Sequence, residues 1–118
     1  QPYRRLVHNH QLEFLTTSYI RGMTIDNSVI IIDEMQNLNF HELDSVVTRI
    51  GENCRIIMCG DYLQSDFKDG QERDGIMKFM RIIESMKDFT IVNFGWEDIV
   101  RSDFVRDYIM TKEMLGIK

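Results

Sequence analysis

Val29-Ile30-Ile31-Ile32-Asp33-Glu34-Met35-Gln36 carries four branched apolar residues straight into two carboxylates and an amide. A strand too apolar to face water on either side is expected inside a parallel sheet, whose carboxyl ends form ligand crevices. Acids placed there suit magnesium and water. In nucleotide hydrolysis a first acid holds Mg²⁺, directly or through water, and a second orients or deprotonates the attacking water. Asp33 is therefore the candidate metal residue and Glu34 the candidate base. A buried strand that simply ends in a solvated turn accounts for the same eight residues about equally well.

Outward from this stretch, strands and helices alternate. Upstream, Leu12 to Thr17 alternates in a way that predicts a strand before the turn at Arg21-Gly22, and Thr24 to Ser28 is a polar connection. Downstream, Phe40, Leu43, Val46, Val47 and Ile50 recur at helical spacing, with Asn39 as N-cap, Glu42 three positions on and Gly51 as the stop. Arg55 to Cys59 is a second short apolar strand ending in Gly60-Asp61. A second helix is expected to start at Asp74, with Ile76, Phe79, Met80, Ile83 and Met86 as its buried stripe. Thr90 to Phe94 is expected as a further strand. A last helix, capped by Ser102, is expected to bury Phe104, Val105, Tyr108 and Ile109. The sum is an α/β fold: an open, mostly parallel sheet with helices on both faces.

Composition narrows the class. The 118 residues support one domain, and the 43% hydrophobic share is ordinary for a globular chain. No apolar run approaches the ~20 residues needed to cross a bilayer, and no signal-peptide order is visible, so a cytoplasmic protein is expected. A net charge of −5 argues against binding nucleic acid through bulk electrostatics. Nine of the fourteen basic residues are arginine, whose guanidinium fork matches phosphate oxygens, although most are expected at the surface. Two cysteines without a CxxC spacing favour reduced core thiols over a disulfide or zinc site, and eight methionines favour core packing.

The second polar cluster, Gly60-Asp61-Tyr62-Leu63-Gln64-Ser65-Asp66, closes the next strand. In a parallel sheet Asp61 and Gln64 are expected beside Asp33 and Glu34. A neutral amide such as Gln64 can hold the attacking water or a γ-phosphate oxygen and sense its presence. A turn using Gly and Asp for their backbone tolerance is the competing view.

Several blocks in order resemble the PhoH family, P-loop ATPases related to superfamily 1 helicases. Tyr19-Ile20-Arg21-Gly22-Met23-Thr24 resembles the family's RGRT segment, and Ile31 to Asn37 its Walker B DEAQN. Leu43 through Thr48-Arg49-Ile50-Gly51 is similar to its LTRIG, Gly60 to Asp66 to its GDxxQxD, and Asp98-Ile99-Val100-Arg101 to its DVVR. Residues 11–105 are covered, and the whole chain reads as the C-terminal part of one such ATPase domain, a partial P-loop NTPase core. Met35 in place of Ala, Phe67-Lys68 in place of Leu-Pro and Asp74-Gly75-Ile76 in place of Ser-Gly-Leu mark a divergent member, such as a phage copy. The sequence contains no GxxxxGK[ST] to cradle the β and γ phosphates, a loop that lies upstream in the family.

The resemblance implies ATP and Mg²⁺ as ligands, with Asp33 on the metal and Asp61 at the nucleotide site. It further implies Glu34 as base and Gln64 as sensor. Arg49 is implied as a candidate finger acting across a subunit boundary, hence a ring-like homo-oligomer, with a surface salt bridge as the equal alternative. Arg101 is a candidate phosphate sensor in cis, and Arg21 a candidate for positioning the first loop. Coupling to RNA or single-stranded nucleic acid is implied by kinship alone. Without its phosphate cradle the chain by itself is expected to be inactive, since Mg²⁺ on one or two carboxylates leans on substrate phosphates for further ligands. The alternatives are a non-catalytic interaction or assembly module and a magnesium phosphotransferase using Asp33 and Asp61. His8 and His10 make a poor metal pair, His41 is expected to face solvent, and Phe94 and Trp96 are expected to pack rather than stack on bases.

Overall fold

The computed structural model describes residues 2–20, 22–61 and 70–117, with side chains from residue 74 onward in the last stretch. The order is α1 (Pro2–His8), β1 (Val29–Ile32), a 3₁₀ turn (Met35–Asn37), α2 (Phe40–Thr48), β2 (Arg55–Met58), α3 (Gly70–Ser85), a 3₁₀ turn (Trp96–Asp98) and α4 (Asp103–Met114). The chain divides into two compact units, Gln1–Asp61 and Tyr62–Lys118. Among the described residues no helix is long and apolar enough to cross a membrane.

The first unit is built on a β–α–β crossover. β1 and β2 are adjacent and parallel, with Val29 opposite Arg55, Ile30 opposite Ile56, Ile31 opposite Ile57 and Ile32 opposite Met58. Parallel neighbours need a crossover of a dozen or more residues, and α2 supplies it. Its start is fixed by the capping box read from sequence: the Glu42 N–H donates to Asn39 Oδ1 at 2.8 Å, and the Asn39 N–H donates to Glu42 Oε1 at 3.2 Å. Leu43 and Val46 of the expected stripe are buried, while Phe40, Val47 and Ile50 are half-buried. Gly51 has another task than the expected left-handed stop. The helix ends at Thr48, and a Cβ on Gly51 would collide with the side chains of Asp26 and Thr24, so the glycine permits close approach.

Below the strands the pairing continues. Ile25 bridges Ile50, the Asn27 N–H donates to Glu52 O at 2.9 Å, and the Arg55 N–H donates to Ser28 O at 3.0 Å. Asn27 and Asn53 both sit at positive φ, two residues ahead of their strands, and the Asn53 amide donates to Asn27 Oδ1 at 3.0 Å. Asparagine tolerates this region better than most residues.

The expectation that β1 is closed to water on both sides is corrected. Alternate residues of a strand face opposite ways. Ile32 is buried and Ile30, Ile56 and Met58 are half-buried, whereas Val29, Ile31 and Ile57 on the other face are 62%, 64% and 50% exposed. Nothing among the described residues of the first unit covers that second face.

Further expectations change. Residues 12–16 form no strand and lead into a turn, with Phe14 exposed, because the described residues offer them no ladder partner. Residues 90–94 form no strand for the same reason, and Val92 and Phe94 are exposed. α3 starts at Gly70, a turn before Asp74, which is thus within the helix and not its cap. Its stripe Ile76, Phe79, Met80 and Ile83 is buried, while Met86 is exposed. α4 is capped as expected, the Val105 N–H donating to Ser102 Oγ at 3.4 Å, but Phe104 and Tyr108 face solvent and Val105 and Ile109 are half-buried. α1 is a helix unread from sequence, opened by Pro2 where its missing N–H costs nothing. His8 lies in its last turn and His10 at positive φ, so the two do not line one side of an extended segment. Both are exposed, as is His41.

Candidate functional site at the carboxyl ends of β1 and β2

Asp33 leaves β1 directly and Glu34 turns the chain sharply, at φ 52° and ψ 47°. A left-handed glutamate stores on the order of 1 kcal/mol or more of backbone strain, the kind of outlier found at functional sites. Asp33 Oδ1 accepts the Glu34 N–H at 2.9 Å, which steadies the turn. Met35 then anchors the 3₁₀ turn, its side chain buried and its N–H donating to Cys59 O at 3.0 Å. The Cys59 N–H in turn donates to Ile32 O at 2.8 Å. The ladder therefore runs past both strands and draws Gly60 and Asp61 up to the turn that carries Glu34.

Gln36 completes this junction. Its Nε2 donates to Glu34 Oε2 at 2.6 Å and its Oε1 accepts the Asp61 N–H at 3.1 Å. The two partners fix which way the amide points, since the reverse orientation would set oxygen against carboxylate and NH₂ against N–H. Gly60 makes room for it, because a Cβ there would run into Gln36 Oε1 and the Met35 side chain. The sequence shows Gln36 beside the acids but gives no sign of this bridge. A glycine and an aspartate closing the next strand were the available hint.

Asp33, Glu34 and Asp61 are thus gathered at neighbouring strand ends, and all three are exposed. Their oxygen donors suit magnesium, a hard cation. No group of three His, Cys, Asp or Glu that could hold a metal forms among the described residues. A cation at Asp33 would therefore take most of its ligands from water and phosphate, the usual pattern for Mg²⁺. Gln64 and Arg21 lie outside the described residues.

Arg49 is the C-cap of α2. The helix runs back from the carboxyl ends of the strands, so Arg49 lies at the opposite end of the ladder from Asp33. It is half-buried, with Nε buried and without a hydrogen-bond partner among the described residues. Arg101 belongs to the second unit and is exposed, next to the Ser102 cap. There Asp98 accepts the Gly95 N–H at 2.7 Å, and the Trp96 indole N–H donates to Glu113. Phe94 and Trp96 do not pack inside as expected: they are 81% and 41% exposed. Cys54 is half-buried and Cys59 exposed, so neither is the core thiol expected.

The larger described cleft, about 460 Å³, is at the amino ends of the strands, lined by Asn27, Ser28, Val29, Asn53, Cys54 and Arg55. It is open and lacks carboxylates, and the chemistry lies at the other end. A smaller cleft of about 190 Å³ includes Thr17, His41 and Glu42, where the Thr17 hydroxyl donates to Glu42 at 2.9 Å.

Comparison with known proteins shows the family. The family model described as PhoH-like protein matches residues 1–113. Protein PhoH of Escherichia coli is 37% identical over 92 residues, covering 78% of this chain and 26% of its own length. A PhoH-like protein of Mycobacterium leprae is 27% identical over 105 residues, 89% of this chain and 30% of its own length. Protein PhoH2 of Bacillus subtilis is 50% identical over 56 residues, 48% of this chain and 12% of its own length. The chain thus spans about a quarter to a third of the first two relatives. With parallel strands delivering Asp33-Glu34 and Gly60-Asp61 to one edge and a family match over nearly its full length, the chain belongs to the PhoH-like protein family.

Proposed function

We propose that this chain is the water- and magnesium-handling part of a PhoH-like ATPase. The observation that carries the reading is the junction at the strand ends, where the strained Asp33-Glu34 turn is tied by the Gln36 amide to the Asp61 backbone. Glu34 takes the proton of the attacking water at a carboxylate oxygen. Asp33 would hold Mg²⁺, which would supply charge neutralisation to the substrate phosphates. Gln64 orients the water or senses the γ-phosphate, Asp61 lines the nucleotide site, and Arg21 positions the first loop. Arg101 contacts phosphate in cis.

Arg49 is proposed to act in trans. Its place at the far end of the ladder supports this, since α2 is ~13 Å long by its nine residues. A phosphate reached by Arg49 would therefore belong to a neighbouring copy, in a ring-like assembly. Such a finger is commonly worth ~10³ to 10⁵ in rate.

The open face of Val29, Ile31 and Ile57 supports a second element of the proposal. Parallel sheets are covered on both faces, so more polypeptide is proposed to pack there and to bring to the carboxyl ends of the strands a phosphate-binding loop, of which this sequence has no copy. The cytoplasm is the proposed location, and RNA or single-stranded nucleic acid the proposed partner of the full assembly. The exposed Phe94, Phe104 and Tyr108 are the sort of aromatic surface on which bases stack.

The test is direct. The 118-residue chain is expected neither to bind a fluorescent ATP analogue tightly with magnesium nor to hydrolyse ATP, whereas a polypeptide joining it to a phosphate loop hydrolyses ATP in a manner abolished by Asp33→Ala. Hydrolysis by the chain alone, lost in Asp33→Ala, would overturn the division of labour. Absence of hydrolysis in the longer polypeptide would favour a non-catalytic assembly module, a reading that the missing phosphate loop also fits.

A further inference from the structure

We infer that Gln36 is a positioning residue that ties the Glu34 carboxylate to the backbone at Asp61, so that the end of β2 sets where the base points. The inference rests on the reading of Glu34 as base and goes beyond it by naming what aims that base. Three observations carry it. The Gln36 amide spends both of its polar atoms on the two strand ends, 2.6 Å to Glu34 Oε2 and 3.1 Å to the Asp61 N–H. The amide is held in one orientation by the opposite demands of its partners. Space for it exists only because residue 60 is glycine, whose Cβ position Gln36 and Met35 overlap.

The consequence is mechanical. Glu34 is exposed and on a left-handed turn, so its side chain has rotamers to choose from in water. A donor at 2.6 Å selects one of them. Because the same amide accepts from Asp61, a shift of the Asp61 backbone pulls on the Gln36 amide and releases the carboxylate. The junction is thereby a link through which Gly60-Asp61 reports to Asp33-Glu34, without a charge of its own. A glutamate at position 36 would keep the acceptor for Asp61 but put like charge beside Glu34. A methionine would keep the length and lose both bonds.

Two readouts test this. In the 118-residue chain, hydrogen exchange of the Asp61 amide followed by NMR is expected to quicken at least tenfold in Gln36→Met and to stay near wild type in Gln36→Glu. In the ATP-hydrolysing polypeptide that carries the chain, both variants are expected to lower kcat by roughly 10- to 100-fold, the usual cost of a misplaced catalytic group, while KM for ATP changes less than about twofold. The Glu34→Gln variant serves as reference. If it abolishes hydrolysis while Gln36→Met and Gln36→Glu keep wild-type kcat, the positioning role is wrong and the base stands. If Glu34→Gln keeps hydrolysis, the base reading fails and the positioning role falls with it. An Asp61 amide whose exchange ignores Gln36→Met would overturn the tether whatever the kinetics.

Discussion

The two ends of the β1–β2 ladder are built from similar parts and differ in what those parts leave exposed. At the amino end, left-handed residues are the asparagines 27 and 53, whose neutral side chains bond each other, and Gly51 lets Asp26 pack against the backbone. At the carboxyl end the left-handed residue is Glu34, poorly suited to it, and its charge is offered to solvent and held by Gln36 rather than neutralised. One end uses tolerant residues and closes its polar groups on themselves. The other accepts strain and keeps its carboxylates available, which is how a site differs from a joint.

Changing the charge at the strained end should have the largest effect. Glu34→Gln is expected to lower ATP hydrolysis in the competent polypeptide by ~10² to 10⁴, the span typical of a lost general base. The same change should leave the urea midpoint of the chain nearly unmoved, as expected of an exposed side chain. An unchanged rate would erase the distinction between the ends.

Packing at the amino end comes next. Gly51→Ala is expected to cost about 1 to 3 kcal/mol in urea denaturation, the usual penalty for forcing atoms into filled space, since its Cβ meets Asp26 and Thr24. Hydrolysis per folded molecule should be unaffected, and a selective loss of kcat would show that the amino end is no mere joint. Between the two ends, Asn39→Ala removes the box that starts α2 and is expected to cost ~1 kcal/mol. The readout is again the urea midpoint.

The smallest effect is the sharpest comparison. Glu34→Gly should raise stability by roughly 0.5 to 1 kcal/mol, because relief of the left-handed strain outweighs the extra freedom of glycine in the unfolded chain. Asn27→Gly should gain nothing, as asparagine already tolerates its φ of 54° and loses its bond with Asn53. Equal responses would mean that Glu34 carries no special strain. A gain at Glu34 alone, with activity lost, is the signature of stability given up for function.

Much of the local structure was legible in the residues themselves. Asn39 and Glu42 announce the start of α2, and Ser102 that of α4, because a cap is a bond between positions three apart. The stripe Ile76, Phe79, Met80 and Ile83 announces α3, though its polar first turn, Gln71-Glu72-Arg73, has no apolar period and hid its beginning. The stretches 12–17 and 90–94 looked like strands because alternation is local, whereas a strand exists only if another backbone pairs with it. Of the candidate site, Asp33, Glu34 and Asp61 were legible as strand-end acids, and Gln36 was not recognised as their bridge.

Sequence alone determined the family blocks, the caps, the helical stripes and the acids that close each apolar run, since these depend on residue type and near-neighbour spacing. Tertiary structure alone decided which strands pair, which face of β1 meets water, that Glu34 is left-handed and that Gln36 spans 25 positions to reach Asp61. The reason is physical: a cap or stripe is satisfied within one turn of helix, while a ladder, an exposed face and a bridging amide exist only after distant segments have met.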